Sequence, residues 1–172
     1  EPDATFASGN PVTATDAVWS IERIQNDPMI TPVRQTQMSV VESAVAVDEH
    51  TLEVTLSRPS NAWLFEMSQT AGIIFDSAAE VDLATATAGS GPYMLGEWRP
   101  GDSITLVANP TYWGDAANFA EVQFRYFVDA TAMNNAMLSG DLDIISNVQA
   151  PQAISQFEDP DRFTIIEGTT AG

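Results

Sequence analysis

The chain has 172 residues, with 24 carboxylates against six arginines, no lysine, no cysteine and a net charge of −18. That length suits one domain, able to bury roughly 70% of the surface its unfolded chain exposes. Without cysteine there are no disulfides, thiolate metal sites or Cys nucleophiles, and without clustered Lys or Arg neither nucleic acid nor an anionic membrane surface is an expected partner.

In chain order, Thr13-Ala14-Thr15-Asp16 reads as a helix start, with Thr13 capping and Asp16 near the positive end of the helix dipole. Ala17, Val18, Ile21 and Ile24 follow at helical spacing. Asp27-Pro28 stops the helix, because the residue before proline is pushed out of the α region. Residues 28–38, with two prolines and Arg34, read as a loop. A hairpin is expected next, with Val41, Val45 and Val47 on one arm and Leu52, Val54 and Leu56 on the other. Pro59-Ser60-Asn61 opens a short apolar helix through Met67, and residues 76–90 lack periodicity and read as a surface loop.

Beyond residue 90 the pattern changes. Arg99-Pro100-Gly101-Asp102 is a type II turn signal, Pro100 presetting φ and Gly101 accepting the positive φ of the third position. Ile104, Leu106 and Ala108 then alternate with Ser103, Thr105 and Val107, as do Val122, Phe124 and Tyr126 in the next strand. Asp129 caps a helix with Ala132, Met133, Ala136 and Met137 on one face, ended by Gly140. Leu142–Ile145 reads as a strand, Pro151 as the first residue of a helix with Ala153, Ile154 and Phe157 inward, and Thr164–Ile166 as a last strand. This alternation of strand and helix implies an α/β layer. The expected organisation is a helix–hairpin subdomain over about 10–88 and an α/β layer over 89–172.

Gly89-Ser90-Gly91-Pro92-Tyr93, Trp98-Arg99-Pro100-Gly101 and Asn109-Pro110-Thr111-Tyr112-Trp113-Gly114 come in fixed order. So do Phe6–Ser20 (FASGNPVTATDAVWS), Val45–Leu56 (VAVDEHTLEVTL) and Ala136–Ile144 (AMLSGDLDI). Together these resemble the extracellular solute-binding proteins of family 5, the peptide, dipeptide and nickel receptors of ABC importers. Ala7-Ser8 and Ala17 depart mildly from the family pattern. The resemblance implies an α/β, periplasmic-binding-protein-like (type II) fold with a mixed sheet. It also implies that the chain is an internal part of the first lobe of a longer, two-lobed receptor, outside the cytoplasm, with any signal peptide upstream. The implied mechanism is closure of two lobes around a peptide or metal chelate and delivery to a membrane permease, with no cofactor and no catalytic activity in this chain.

Chemistry-bearing clusters are scarce. His50, the only histidine, falls in a hairpin turn and lacks a cleft for a catalytic triad. Asp129, Asp141 and Asp143 could chelate a cation, but two acids at a helix end read more simply as surface polarity. Trp19, Trp63, Trp98 and Trp113 could stack on sugars, although turn-flanking tryptophans more often pack. Gly89-Ser90-Gly91 leads into a strand instead of a helix and makes no phosphate cradle. Because ligands of open α/β sheets lie beyond the carboxyl ends of strands, the candidate solute contacts are Ser146, Asn147, Thr169 and Thr170, with Arg34 added from the 28–38 loop. The alternatives are a secreted structural or carbohydrate-binding domain and a hydrolase fragment. Solute identity is not written in these residues, and self-association through exposed apolar surface is expected of an isolated part-lobe.

Overall fold

Thr13 stands in extended conformation (φ −121°, ψ 165°) immediately before helix α1, Ala14–Asn26. Its amide and hydroxyl both donate to the Asp16 carboxylate, at 2.9 and 2.7 Å. That settles the first turn as the sequence implies, and Asp27 (ψ 117°) ends the helix ahead of Pro28. The computed structural model describes residues 1–148 and 150–168.

Residues 28–38 are not all loop. Pro32–Met38 form helix α2, with Thr31 extended ahead of it and Pro32 at its first turn. Pro32, one of the two prolines of the expected loop, instead serves as a helix start, where its missing N–H costs nothing.

Strands β1 (Val41–Ala46) and β2 (Leu52–Leu56) pair antiparallel, with Val54 opposite Ala44 and Leu52 opposite Ala46. A bulge between Val41 and Ser43 shifts the register. Val41 is therefore buried, whereas Val45 and Val47 are 51% and 60% exposed and Ala44 and Ala46 turn partly inward. One inserted residue reverses the parity that the valine spacing suggests.

Helix α3 (Trp63–Met67) and a 3-10 turn at Thr70–Gly72 follow. Residues 76–90 carry no regular helix or strand. Strands β3 (Tyr93–Arg99), β4 (Ser103–Ala108) and β5 (Glu121–Arg125) make a three-stranded sheet in that order. The β3–β4 turn closes through the Asp102 amide on the Arg99 carbonyl at 3.0 Å, and Gly101 takes φ +77°. Along β4 only Ser103 is buried and the rest are half-buried, so the expected alternation is weak.

Helix α4 (Ala130–Ser139) starts at Asp129, whose side chain accepts the Ala132 amide at 2.7 Å, and ends at Gly140 with φ +84°. Both ends match the sequence, but Met133 and Asn134 are its buried residues while Ala132 is exposed. The strands and α-helix expected beyond it do not form. Leu142–Ile145 and Thr164–Ile166 are not strands, and Pro151–Phe157 is a 3-10 stretch. Apolar side chains favour a strand only where a neighbour accepts its backbone bonds, and the described residues place none there. Ile144 and Ile166 are accordingly 78% and 88% exposed.

The chain divides into two compact units, Glu1–Trp98 with Ile104–Gln123, and Arg99–Ser103 with Phe124–Gly172. The core of the first joins Ile21 and Ile24 of α1 to Met38, Val41 and Ala71, with Leu52, Val54, Leu56 and Trp63 packed against it. Each such fully buried aliphatic is worth roughly 1.5–3 kcal/mol over exposure. In the second unit Phe157 is 7% exposed and meets Phe163 edge-on, ring centroids 5.2 Å apart.

Candidate functional site

Ser146 and Asn147 lie in an exposed bend of the second unit. Neither makes a hydrogen bond to another described residue. Both side chains are exposed, though not at a strand end, because the preceding segment forms none. Thr169 and Thr170 lie outside the described residues.

Arg34 sits half-buried on α2 in the first unit, on a helix instead of the expected loop. Its Nη1 donates to Gln37 Oε1 at 3.3 Å, and Gln37 Nε2 donates in turn to Glu66 Oε2 on α3. No carboxylate comes within 4 Å of the Arg34 guanidinium among the described residues. Gln37 and Glu66 went unremarked in the sequence. Once 32–38 is a helix, Gln37 stands at i+3 from Arg34, the spacing that brings side chains together.

Most other polar clusters serve the architecture. Asp16 is 5% exposed and accepts four hydrogen bonds, two from Thr13 and two from Ser77, whose amide and hydroxyl lie at 3.0 and 2.6 Å. Burial pushes its carboxyl up, but the Ser77 and Thr13 donors outweigh that and hold it below the ordinary carboxylate value. Asp76 is 3% exposed and accepts Ser8 Oγ at 2.6 Å, Asn10 Nδ2 at 3.0 Å and the Ala78 amide at 2.9 Å. The Phe75 amide donates to Ser20 Oγ at 3.0 Å. The start of the unpatterned 76–90 segment is thus strapped to α1 and to the N-terminal residues.

The corner motif is a latch of the same kind. Buried Asn109 donates from Nδ2 to the Gly91 carbonyl at 3.0 Å and receives the Thr111 amide and hydroxyl on Oδ1. Its own amide reaches the Pro92 carbonyl at 2.8 Å, and Trp113 Nε1 donates to the Ser90 carbonyl at 3.1 Å. The Gly-Ser-Gly-Pro and Asn-Pro…Trp segments appear together in the sequence because each satisfies the other's backbone. Trp98 and Trp113 remain 42% and 43% exposed, so neither is a core residue.

His50 is exposed in its turn, where its amide donates to Asp48 Oδ1 at 2.9 Å. That bond, with the Thr51 hydroxyl, holds the Asp48 carboxyl below its ordinary value. Among the described residues no three His, Asp or Glu are placed to hold a metal ion. A groove of about 340 Å³ runs between α1 and the 76–84 segment, past Trp19, Arg23, Asp27, Met29, Asp76 and Asp82. Its carboxylates are already occupied: Asp27 pairs with Arg23 at 3.4 Å and accepts the Met29 amide, while Asp82 accepts the Ala84 amide.

Residues 1–170 match the model of the bacterial extracellular solute-binding proteins, family 5 Middle. The probable D,D-dipeptide-binding periplasmic protein DdpA of Escherichia coli is 32% identical over 162 residues, which are 87% of this chain and 30% of that protein. Among solved structures, the binding protein AgaA of A. tumefaciens R10, in complex with agropinic acid, superposes with a TM-score of 0.80 at 29% identity, over 90% of this chain and 32% of that one. A nickel ABC transporter structure from Bacillus halodurans gives a TM-score of 0.81 at 26% identity, over 92% and 32%. The chain thus spans about a third of the length of the proteins it matches.

Proposed function

The chain belongs to the bacterial extracellular solute-binding proteins of family 5, and from that premise we propose that it forms part of the first lobe of an ABC-importer receptor. The receptor captures a small solute of the peptide or metal-chelate class outside the cytoplasm and hands it to a membrane permease. The observation that carries this reading is the family match over residues 1–170, joined to the superposition on AgaA. The partial span of every relative cited supports the part-lobe reading. The relatives are named as binding proteins, not enzymes, and no helix among the described residues is long and apolar enough to cross a membrane.

Within this part of the receptor, Ser146, Asn147, Thr169 and Thr170 are the proposed solute contacts, with Arg34 as an additional one. Among the described residues, Ser146 and Asn147 make no hydrogen bond and no carboxylate lies within 4 Å of the Arg34 guanidinium, which supports that assignment. Closure needs a solute that favours the closed state over the open one. A single lobe supplies part of a pocket that encloses roughly 70–90% of a small ligand, so this chain alone binds at best at about millimolar strength, each 1.4 kcal/mol lost weakening affinity about tenfold. Isothermal titration of the 172-residue chain against dipeptides and nickel chelates tests this. A micromolar ligand would mean that the site is complete within these residues, and the part-lobe reading would fall.

A further inference from the structure

Six arginines face 24 carboxylates, and the structure commits much of that positive charge to neutral partners. Arg34 donates to the Gln37 amide oxygen. Arg125 donates to the Asp141 carbonyl and lies over Phe127, 5.2 Å from the ring centroid. Arg162 donates to the Leu138 carbonyl and lies 4.8 Å from the centroid of Phe163. The buried carboxylates do likewise, since Asp16 and Asp76 are satisfied by hydroxyl and amide donors. Among the described residues, the guanidinium groups of Arg34, Arg125 and Arg162 are thus spent on neutral acceptors and rings instead of on carboxylates.

What remains stands in solvent, in runs. Glu42, Asp48, Glu49 and Glu53 are all exposed on the hairpin and its turn, with His50 the only basic side chain among them. Glu158, Asp159 and Asp161 are exposed together in the second unit. Like charges at this density repel one another in the compact state more than in the expanded chain, and the repulsion falls as the Debye length shortens. We propose that the mobile cations of a saline exterior complete this fold. They screen its acidic face, so that the chain is stable in an ion-rich medium and unfolds readily in a dilute one. These cations are diffuse and not site-bound, because no metal-holding group occurs among the described residues. Salt also weakens the favourable Arg23–Asp27 pair, but this pair is half-buried, so salt screens it less than the exposed carboxylates.

Urea unfolding of the 172-residue chain at about 0.01, 0.1 and 1 M NaCl spans Debye lengths of about 30, 10 and 3 Å. The midpoint rises at each step, most steeply at the dilute end, with the unfolding constant falling by about tenfold or more overall. NaCl and NaClO4 at equal ionic strength near 0.1 M give the same midpoint, because screening depends on charge and not on ion identity. The combined variant Glu42→Gln, Glu49→Gln, Glu53→Gln raises the dilute-salt midpoint and flattens the salt dependence. Glu158→Gln with Asp161→Asn does the same in the second unit, as a check should the hairpin variant fail to fold. A midpoint that is flat or falls with salt, one that follows the anion instead of ionic strength, or charge-neutral variants that keep the original slope would overturn the proposal.

Discussion

In the first unit two buried carboxylates tie distant segments together, whereas in the second that work falls to two guanidinium groups. Asp16 and Asp76 each collect donors from residues more than 60 positions away in the chain, Ser77 for one and Ser8 and Asn10 for the other. Around them sits an apolar core of α1, α2, the hairpin and Ala71. Arg125 and Arg162 instead converge on the carboxyl end of α4, Arg162 on the Leu138 carbonyl that the last turn leaves unsatisfied and Arg125 on the Asp141 carbonyl just beyond the helix. The buried residues described in this unit are Ser103, Met133, Asn134 and Phe157, while Phe124, Tyr126, Val128, Ile144 and Ile166 are more than half exposed. A carboxylate strut can be buried if enough neutral donors surround it, and a dense core supplies them. A guanidinium holding a helix end works in solvent, and so it can bind a unit that has little core.

The largest test of this contrast removes apolar volume from each unit. Phe6 is fully buried in the first unit, and Phe6→Ala costs about 3–5 kcal/mol in chemical denaturation. Ile144→Ala, at a side chain 78% exposed, changes stability by less than about 0.5 kcal/mol. Similar losses from the two substitutions would mean that the second unit has a core of its own and that the contrast is wrong.

The next test is electrostatic. Asp16 is held below the ordinary carboxylate value by its Ser77 and Thr13 donors, so its contribution is present above the unfolded value and is lost as pH falls through the lower folded one. Asp16→Asn keeps the shape but gives up the charge, weakening the Thr13 and Ser77 bonds at a cost of about 1–3 kcal/mol at neutral pH. The variant also loses part of the drop in stability that the parent shows below about pH 4. Equal acid limbs for both chains would show that Asp16 does not strap α1 to residue 77 as described.

The sequence revealed the elements whose causes are local. The Thr13–Asp16 helix start, the Asp27-Pro28 stop, the Pro100-Gly101 turn and the Asp129 and Gly140 ends of α4 each depend on a few consecutive residues, and each is where the pattern put it. Helix α2 was hidden because Pro32 both breaks and begins helices, and only the chain around it decides which. The bulge at Val41/Ser43 reversed the valine parity without any marker in the side chains. Leu142–Ile145 and Thr164–Ile166 have strand-like composition, but a strand also needs a partner, and composition does not supply one. The straps from Asp16 to Ser77 and from Asp76 to Ser8 join residues that no local pattern relates. For the candidate site, the polar residue types were readable at Ser146, Asn147 and Arg34, but the Arg34–Gln37–Glu66 relay became visible only with α2 in place.

The smallest expected effect separates the two units most sharply. Arg162 Nη2 lies 2.8 Å from the Leu138 carbonyl, in the last turn of α4, and its guanidinium stacks on Phe163 beside it. A cation at a helix carboxyl end contributes about 0.3–1 kcal/mol, and an exposed cation–π contact about 0.5–1 kcal/mol. Arg162→Gln removes the charge while leaving an amide able to donate, for a loss of about 1 kcal/mol. A change of that size raises local opening about fivefold. It is best read by hydrogen exchange at the amides of Met137–Gly140 and by protease nicking near residues 158–163. The amides of α1 and the hairpin, which rest on the Ile21–Met38 core, should keep their protection unchanged. A uniform rise in exchange through the whole chain would show that Arg162 supports global stability, and the division of labour between carboxylate and guanidinium would then not follow the two units.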